Sequence, residues 1–486
     1  HRTQFRTSMY KKTMKNSLFA LSALFIALQL HMYATLDGVY AQDQLRGFEL
    51  YQEMGTPGFV QYEGSANIQW LPGDVGYLET EQVNGGTEFF AVAPESADRT
   101  PLFSKRQLRA LLRGLGQEHG EDEEVLPFSS FDYVMENKAI FFVYKNQDHV
   151  FHLKDLTLRA LYKPEVERAP YTEELMRRME TSQLWNGTYS HDYRWFAHVK
   201  GYDIYLINTE THEEKRLTYG SEEQMNGRPS WVYPEEFGQR DAYWFSPDNK
   251  KIAYLQYNET DVYQYPIIHE LEFETGLELE RYPKAGEANP TVNLFIVDIE
   301  TGEVQQVPTN SGPDTYIVRP IWRDNSEELT FRRFNRKQDY LEVLSYSLDA
   351  KEVRTIFTES EDAYINLHDN FYQLNDGEHF LWTSEQTGFN QLYLYHFDGS
   401  LVRQLTSGEN PLGSIVRVDQ KKSLVYYTAY HNMGLDEYFH VVSFDGESTQ
   451  LSESDGRYTI SMNEAAEYYV SRSSSFDRPY AASMHK

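Results

Sequence analysis

The chain has 486 residues, with 74 acidic against 45 basic side chains and a formal charge of −29 at pH 7. That balance excludes the basic footprint a nucleic-acid binder needs. The absence of cysteine excludes disulfides, thiolate nucleophiles and cysteine-based metal sites. A hydrophobic share of 40% beside 24% charged residues is globular, and 15% aromatics favour pleated, half-buried strands.

Residues ahead of Met9 or Met14 read as lying upstream of a natural start, or as vector-derived. Lys11, Lys12 and Lys15 then form a positive segment, Leu18 to Leu30 an apolar run, and Val39-Tyr40-Ala41 a small-residue cleavage site. The expectation is a signal peptide within 1–41 and a mature chain over 42–486. A retained membrane anchor is the alternative, although the run is shorter than the roughly 18–20 residues of a span. Export without cysteine points to a bacterial periplasm or cell envelope.

Next along the chain, Ser104 to Gly114 is an amphipathic helix with Leu108, Leu111 and Leu112 on one side and Lys105, Arg106, Arg109 and Arg113 on the other. The acidic run Glu118 to Glu124 reads as a solvated loop, and Tyr171 to Ser182 as a second helical insertion. The rest is strand. Apolar strands are expected at Ala139–Tyr144, Trp195–Val199, Lys251–Tyr257, Glu328–Phe334, His379–Ser384 and Leu424–Tyr430. Each is followed by a hairpin with Asp-Gly, Thr-Gly, Asp-Ala or a similar reversal.

The hairpins begin near 150, 204, 294, 342, 392 and 438, at intervals of 54, 90, 48, 50 and 46 residues. A repeat of about 50 residues with three or four strands predicts an all-β fold, a β-propeller, with short helical insertions. The long interval marks an insertion between about 258 and 290.

No Gly-x-Ser-x-Gly, His-Glu-x-x-His, phosphate-binding loop or EF-hand occurs. No catalytic residue, metal ligand or cofactor-binding residue is therefore assigned, and no cofactor is expected. One acidic pair stands out: Glu235-Glu236 within Trp231-Val-Tyr-Pro-Glu-Glu-Phe237. Glu-Glu occurs six times in the chain, so the dipeptide alone carries nothing. This copy lies among aromatics, behind Pro234, in a segment (226–241) that fits no strand of the repeat. Adjacent carboxylates on a strand point to opposite faces, whereas on a turn or short helix both can face one cation. An α-ammonium has three donors and suits such a pair.

Trp231-Val-Tyr-Pro-Glu-Glu-Phe237, followed by Tyr243-Trp-Phe-Ser-Pro-Asp248, resembles the double-glutamate segment of the dipeptidyl peptidase IV family. Arg281-Tyr-Pro-Lys-Ala-Gly-Glu-Ala-Asn-Pro-Thr-Val292, Gly388-Phe-Asn-Gln-Leu-Tyr393 and Glu467-Tyr-Tyr-Val-Ser-Arg472 are similar to family segments in the same order. The likeness spans roughly 46–486. It implies an N-terminal propeller of eight blades, here with the last incomplete and the closing segment Arg478 to Lys486 a strand whose hairpin partner is missing, a C-terminal α/β-hydrolase domain with a Ser-Asp-His triad, and release of N-terminal dipeptides, often after proline. It also implies that Glu235 and Glu236 grip the substrate's free amine.

This chain departs from the pattern twice. The hydrolase domain is absent from it. The family's carbonyl-holding arginine has no counterpart in Val143-Tyr-Lys-Asn-Gln-Asp-His-Val150, and neither Lys145 nor an arginine of the 104–113 helix is assigned to that role.

The function expected is the substrate-gating propeller of an exported serine dipeptidyl peptidase, inactive alone. The alternative is a non-catalytic, peptide-binding propeller. Expected partners are peptides with a free N-terminus, the hydrolase domain of the same gene product and, as one option, a second copy of the chain.

Overall fold

Along a β-strand, successive side chains leave from opposite faces, and in the central sheets of this protein both faces are buried. The structure, a computed structural model, describes residues 68–83, 86–117, 126–164, 187–269, 276–453 and 455–486. The expected signal peptide, the helix at Tyr171 to Ser182 and the acidic run at Glu118 to Glu124 lie outside the described residues. Four-stranded antiparallel sheets span 69–101, 132–161, 188–216, 315–360 and 371–404. A five-stranded sheet spans 224–306, and the strands of 412–485 form one seven-stranded sheet.

Strand Lys251–Asn258 shows how the sheets are held. Ile252 and Tyr254 enter a core shared with the preceding sheet, against Ala197, Val199, Ile204 and Leu206. Ala253, Leu255 and Tyr257 enter the core on the other side, with Val318, Phe331 and Phe334 of the following sheet. The pattern repeats around the molecule. Phe380 and Trp382 face back toward 315–360, while Leu381 and Leu392 face on toward 412–450. Helix α1 (Lys105–Gly114) is capped by the Ser104 hydroxyl and inserts Leu108 and Leu112 between the first two sheets, against Phe89 and Phe142.

The ends of this series meet. Asp74 accepts hydrogen bonds from Asn463 Nδ2 (2.8 Å) and the Ala465 N–H (2.9 Å). The Tyr468 hydroxyl donates to Glu95 (2.8 Å). Sheets stacked face to face and closed first to last form a ring, the arrangement of a β-propeller.

One expectation needs correction. The strand at the chain's end has its partner: Ala481–His485 pairs antiparallel with Tyr469–Ser474, the middle strand of a meander opened by Arg457–Met462. The reversal is made by Ser475 and Arg478, whose backbones bond to each other (3.0 Å), with Ser475 Oγ on Asp477 (2.7 Å). The insertion expected between about 258 and 290 is there, as a separate two-stranded sheet, Gln264–His269 with Gly276–Arg281.

The core shared by the sheets of 315–360 and 371–404 holds a titratable side chain. His368 packs edge-on against Trp382, with ring centroids 4.4 Å apart. Burial, and then the nearby Arg332 guanidinium, push its imidazole down to about 3. An unfolded chain takes up that proton from about pH 6.5 downward and the folded one does not, so stability falls as pH falls below 6.5. At pH 5 this group alone contributes about 2 kcal/mol of destabilisation relative to neutral pH. Glu359, raised by burial in the same core, acts in the opposite sense. The expected outcome is that His368→Gln loses less melting temperature than the parent between pH 7 and pH 5. Equal losses would remove His368 as the cause.

Candidate functional site

Helix α2 (Val232–Glu236) occupies the segment that fits no strand. Pro234 sits in its first turn, where a missing N–H breaks no helical bond. Tyr233 and Phe237, four apart, share the inward face and are both buried. The Tyr233 ring meets Tyr257 (4.7 Å between centroids), and Phe237 meets Tyr316 (4.8 Å). Glu235 and Glu236 are left on the outward side, both exposed. Consecutive helical positions are about 100° apart, so the carboxylates sit side by side and not on opposite faces.

The helix is fixed by the sheet of 315–360. The Tyr233 hydroxyl accepts the Ile317 N–H at 3.1 Å. Burial raises this phenol far above its ordinary range, so it stays neutral. At the other end Gly238 turns left-handed (φ +59°), and the Gln239 N–H reaches back to the Tyr233 carbonyl at 3.1 Å.

Arg319 closes that end. Its Nη2 donates to the Phe237 carbonyl (3.0 Å), its backbone N–H to Gln239 Oε1 (2.8 Å), and its Nε pairs with Asp369. It does so from a left-handed backbone (φ +52°), at a break in strand register between Val318 and Ile321. A cation at a helix C-terminus also faces the favourable end of the helix dipole.

Glu236 is held directly. Gln338 Nε2 donates to its Oε1 at 2.6 Å, and Gln338 Oε1 accepts from the Tyr364 hydroxyl at 3.1 Å. Burial, and secondarily the Glu236 charge, raise the Tyr364 phenol.

The second sequence motif converges on the same helix. Tyr282 packs edge-on against Trp231 (4.3 Å), and Asn289 Nδ2 donates to the Tyr316 hydroxyl (2.6 Å). A cavity of about 490 Å³ begins where α2 ends, lined by Gln239, Arg240, Asp241, Trp244, Arg319 and Trp322 among others; the glutamates do not line it.

The structure therefore brings Glu235 and Glu236 together on one short helix. Lys145 sits on a strand-to-strand turn of the second sheet, its ammonium over the Tyr144 ring (5.2 Å), and Arg106, Arg109 and Arg113 lie on α1. The carbonyl-binding arginine stays unassigned. Gln338, Tyr364 and Arg319 went unread in the sequence. Arg319 and Gln338 lie more than 80 residues from the residues 237 and 236 that they bond, Tyr364 reaches the helix only through Gln338, and no short motif announces them. Among the described residues no group of three or more His, Asp or Glu side chains is placed to hold a metal.

Fold and site together define a β-propeller that presents a carboxylate pair on an anchored helix. Residues 138–480 match the family described as the dipeptidyl peptidase IV (DPP IV) N-terminal region. The chain belongs to the dipeptidyl peptidase IV family through that region. Dipeptidyl peptidase 4 of Trichophyton tonsurans is 34% identical over 292 residues, which are 56% of this chain and 37% of that protein. The probable dipeptidyl peptidase 4 of Neosartorya fischeri is 28% identical over 305 residues, 58% of this chain and 40% of that protein.

Two solved structures share the fold. Porphyromonas gingivalis dipeptidyl peptidase 4 superposes with a TM-score of 0.65 at 21% identity, covering 86% of this chain and 57% of that one. A putative dipeptidyl aminopeptidase IV from Bacteroides ovatus gives 0.66 at 19% identity, covering 85% and 60%. The matched span is thus 37–40% of the length of the fungal relatives and 57–60% of the two solved chains, under two thirds in each case.

Truncating Arg319 tests the anchoring. Arg319→Ala leaves the Phe237 carbonyl and Asp369 without their partner and keeps the strained backbone, and is expected to lower unfolding free energy by about 1–3 kcal/mol. Arg319→Gly loses the same contacts but relaxes the left-handed residue, and should recover roughly 1 kcal/mol. Urea unfolding at unchanged m-value measures both; identical midpoints for the two variants would remove the strain argument.

Proposed function

We propose that this chain is the substrate-gating propeller of an exported serine dipeptidyl peptidase, and that Glu235 and Glu236 bind the protonated N-terminus of the peptide substrate. One observation carries the reading: adjacent carboxylates exposed on a short helix whose opposite face is locked into the core, inside the region that matches the family. An ammonium donates three hydrogen bonds, and each carboxylate oxygen accepts more than one, so Glu236 can hold a ligand while Gln338 holds Glu236. A clamp fixed at its distance from a nucleophile measures substrate length, since two extended residues reach about 7 Å at ~3.3 Å each.

In this reading the nucleophile belongs to a hydrolase domain encoded beyond Lys486, and the signal segment sends the protein to a bacterial periplasm or envelope. The competing reading is a peptide-binding propeller without catalysis. A continuing frame with Gly-x-Ser-x-Gly followed by Asp and His selects the first, and a stop codon selects the second.

The proposal is tested in the enzyme containing that domain. Glu235→Gln or Glu236→Gln is expected to lower kcat/KM on a Gly-Pro amide by about one to three decades, a range set by how far solvent screens the pair. Glu222→Gln and Glu327→Gln, exposed carboxylates of other pairs, should change little. Wild-type rates in the 235 and 236 variants, or equal cleavage of an N-acetylated substrate, would end the amine assignment.

A second copy of this chain is the partner we propose for the inserted hairpin. Ile268, Leu277 and Leu279 are exposed there at 57%, 66% and 54%. By their register they share one face with Pro266. Ile268→Asp with Leu277→Asp should shift sedimentation from dimer to monomer; an unchanged profile argues against this surface.

A further inference from the structure

We infer that Gln338 is a positioning residue: it fixes the orientation of the Glu236 carboxylate and so makes the two glutamates unequal partners for an ammonium. The inference rests on the amine reading above and deepens it.

Gln338 is almost fully buried, at 6% exposure, in the turn between strands Glu328–Asn335 and Tyr340–Ser347. Its backbone is left-handed (φ +57°), a conformation that glycine or asparagine adopts more cheaply. The turn is already built by its neighbours. Asn335 Oδ1 accepts from the Asp339 and Tyr340 N–H groups, each at 3.1 Å, and the Gln338 N–H bonds the Asn335 carbonyl at 3.0 Å. Nothing in that geometry calls for a glutamine side chain. What calls for it lies outside the turn, at Glu236.

The amide is held at both ends, and the polarity is set. Nε2 donates to Glu236 Oε1 at 2.6 Å, and Oε1 accepts the Tyr364 hydroxyl at 3.1 Å. The flipped amide would set its oxygen against a carboxylate oxygen, with no proton between them. The loop that carries Tyr364 is in turn tied to the turn: the Ile365 N–H donates to the Gln338 carbonyl at 2.8 Å, and the Glu361 N–H to the Asp339 carbonyl at 3.0 Å. The chain Tyr364–Gln338–Glu236 therefore runs from one loop through a buried amide to the site. It occupies one lone pair of Glu236 Oε1 and aims the rest of the carboxylate. Among the described residues none donates a hydrogen bond to Glu235, which stays free to follow the ligand. A carboxylate oriented in advance costs the ligand less ordering on binding.

The full chain can be tested directly. The probes are Gly-Pro-amide, with its free ammonium, and N-acetyl-Gly-Pro-amide, with binding followed by NMR titration. The parent should bind the first and not the second. Gln338→Met keeps the length, the buried volume and the backbone cost and removes both polar ends. It should weaken the free-amine probe about tenfold, the size of one hydrogen bond to a charged group, and leave the acetylated probe unchanged. Tyr364→Phe removes only a half-exposed hydroxyl, so it folds whether or not Gln338→Met does. It should act in the same direction by about two- to threefold.

A merely structural role would change the melting temperature and not the ratio between the probes. Parent-like discrimination in both variants would overturn the positioning role while leaving the amine clamp standing. A parent indifferent to acetylation would overturn the clamp itself, and this inference with it.

Discussion

The sheets between 132 and 404, the inserted hairpin apart, have two apolar faces, and neither can be left to water. Ile252 and Tyr254 belong to one core while Ala253, Leu255 and Tyr257, from the same strand, belong to the next. A sheet of this kind is stable only between two others, so a linear stack would always expose a face at each end. Closing the stack removes both ends at once. The seam at Asp74, Asn463, Glu95 and Tyr468 brings residues nearly 400 positions apart into polar contact. That seam allows the sheets between them to be buried on both sides.

The same constraint explains why the site is not on a strand. Strand positions alternate between cores, so two neighbouring carboxylates on a strand would drive one of them into an apolar face, at a desolvation cost of several kcal/mol. A helical turn resolves this. Tyr233 and Phe237 keep the inward face apolar while residues 235 and 236 both stay outside. A helix of five residues has no stability of its own in water. It persists here because the next sheet supplies what its length cannot: Ile317 bonds Tyr233, Arg319 bonds Phe237, and Gln338 bonds Glu236. Arg319 and Gln338 both make those contacts from left-handed backbones, so local strain is balanced by order at the helix.

What the sequence disclosed follows from range. The repeat of about 50 residues, the strands at Ala139–Tyr144 and His379–Ser384, and the amphipathic α1 are local patterns, and the structure has them at those positions. The glutamate pair was legible because its aromatic setting breaks the strand alternation. Arg319 and Gln338 were not legible, since each lies in an ordinary strand or turn and meets α2 only after the sheets have stacked. The closing strand was misread for a related reason. Residues 457–462 carry the alternation of a strand and follow an Asp455-Gly456 reversal, but they join the strands of 412–450 in one sheet through a single parallel pair, Arg457 with Glu437, and nothing local shows that Tyr469–Ser474 is the partner of the last strand.

Charge acts here on two scales with different consequences. A formal charge of −29 surrounds the protein with a field that favours any cation, peptide termini and inorganic ions alike. At physiological ionic strength that field decays over about 8 Å, so it raises encounter rates without distinguishing ligands. Discrimination requires donors and acceptors at hydrogen-bonding distance and in a fixed direction. An exposed carboxylate on a flexible stem cannot supply this, because it follows whatever approaches it. Glu236 differs because a buried amide holds it and an anchored helix carries it. In a surface this acidic, an individual carboxylate becomes selective through the neutral groups that restrict its motion, not through its charge, which it shares with all the others.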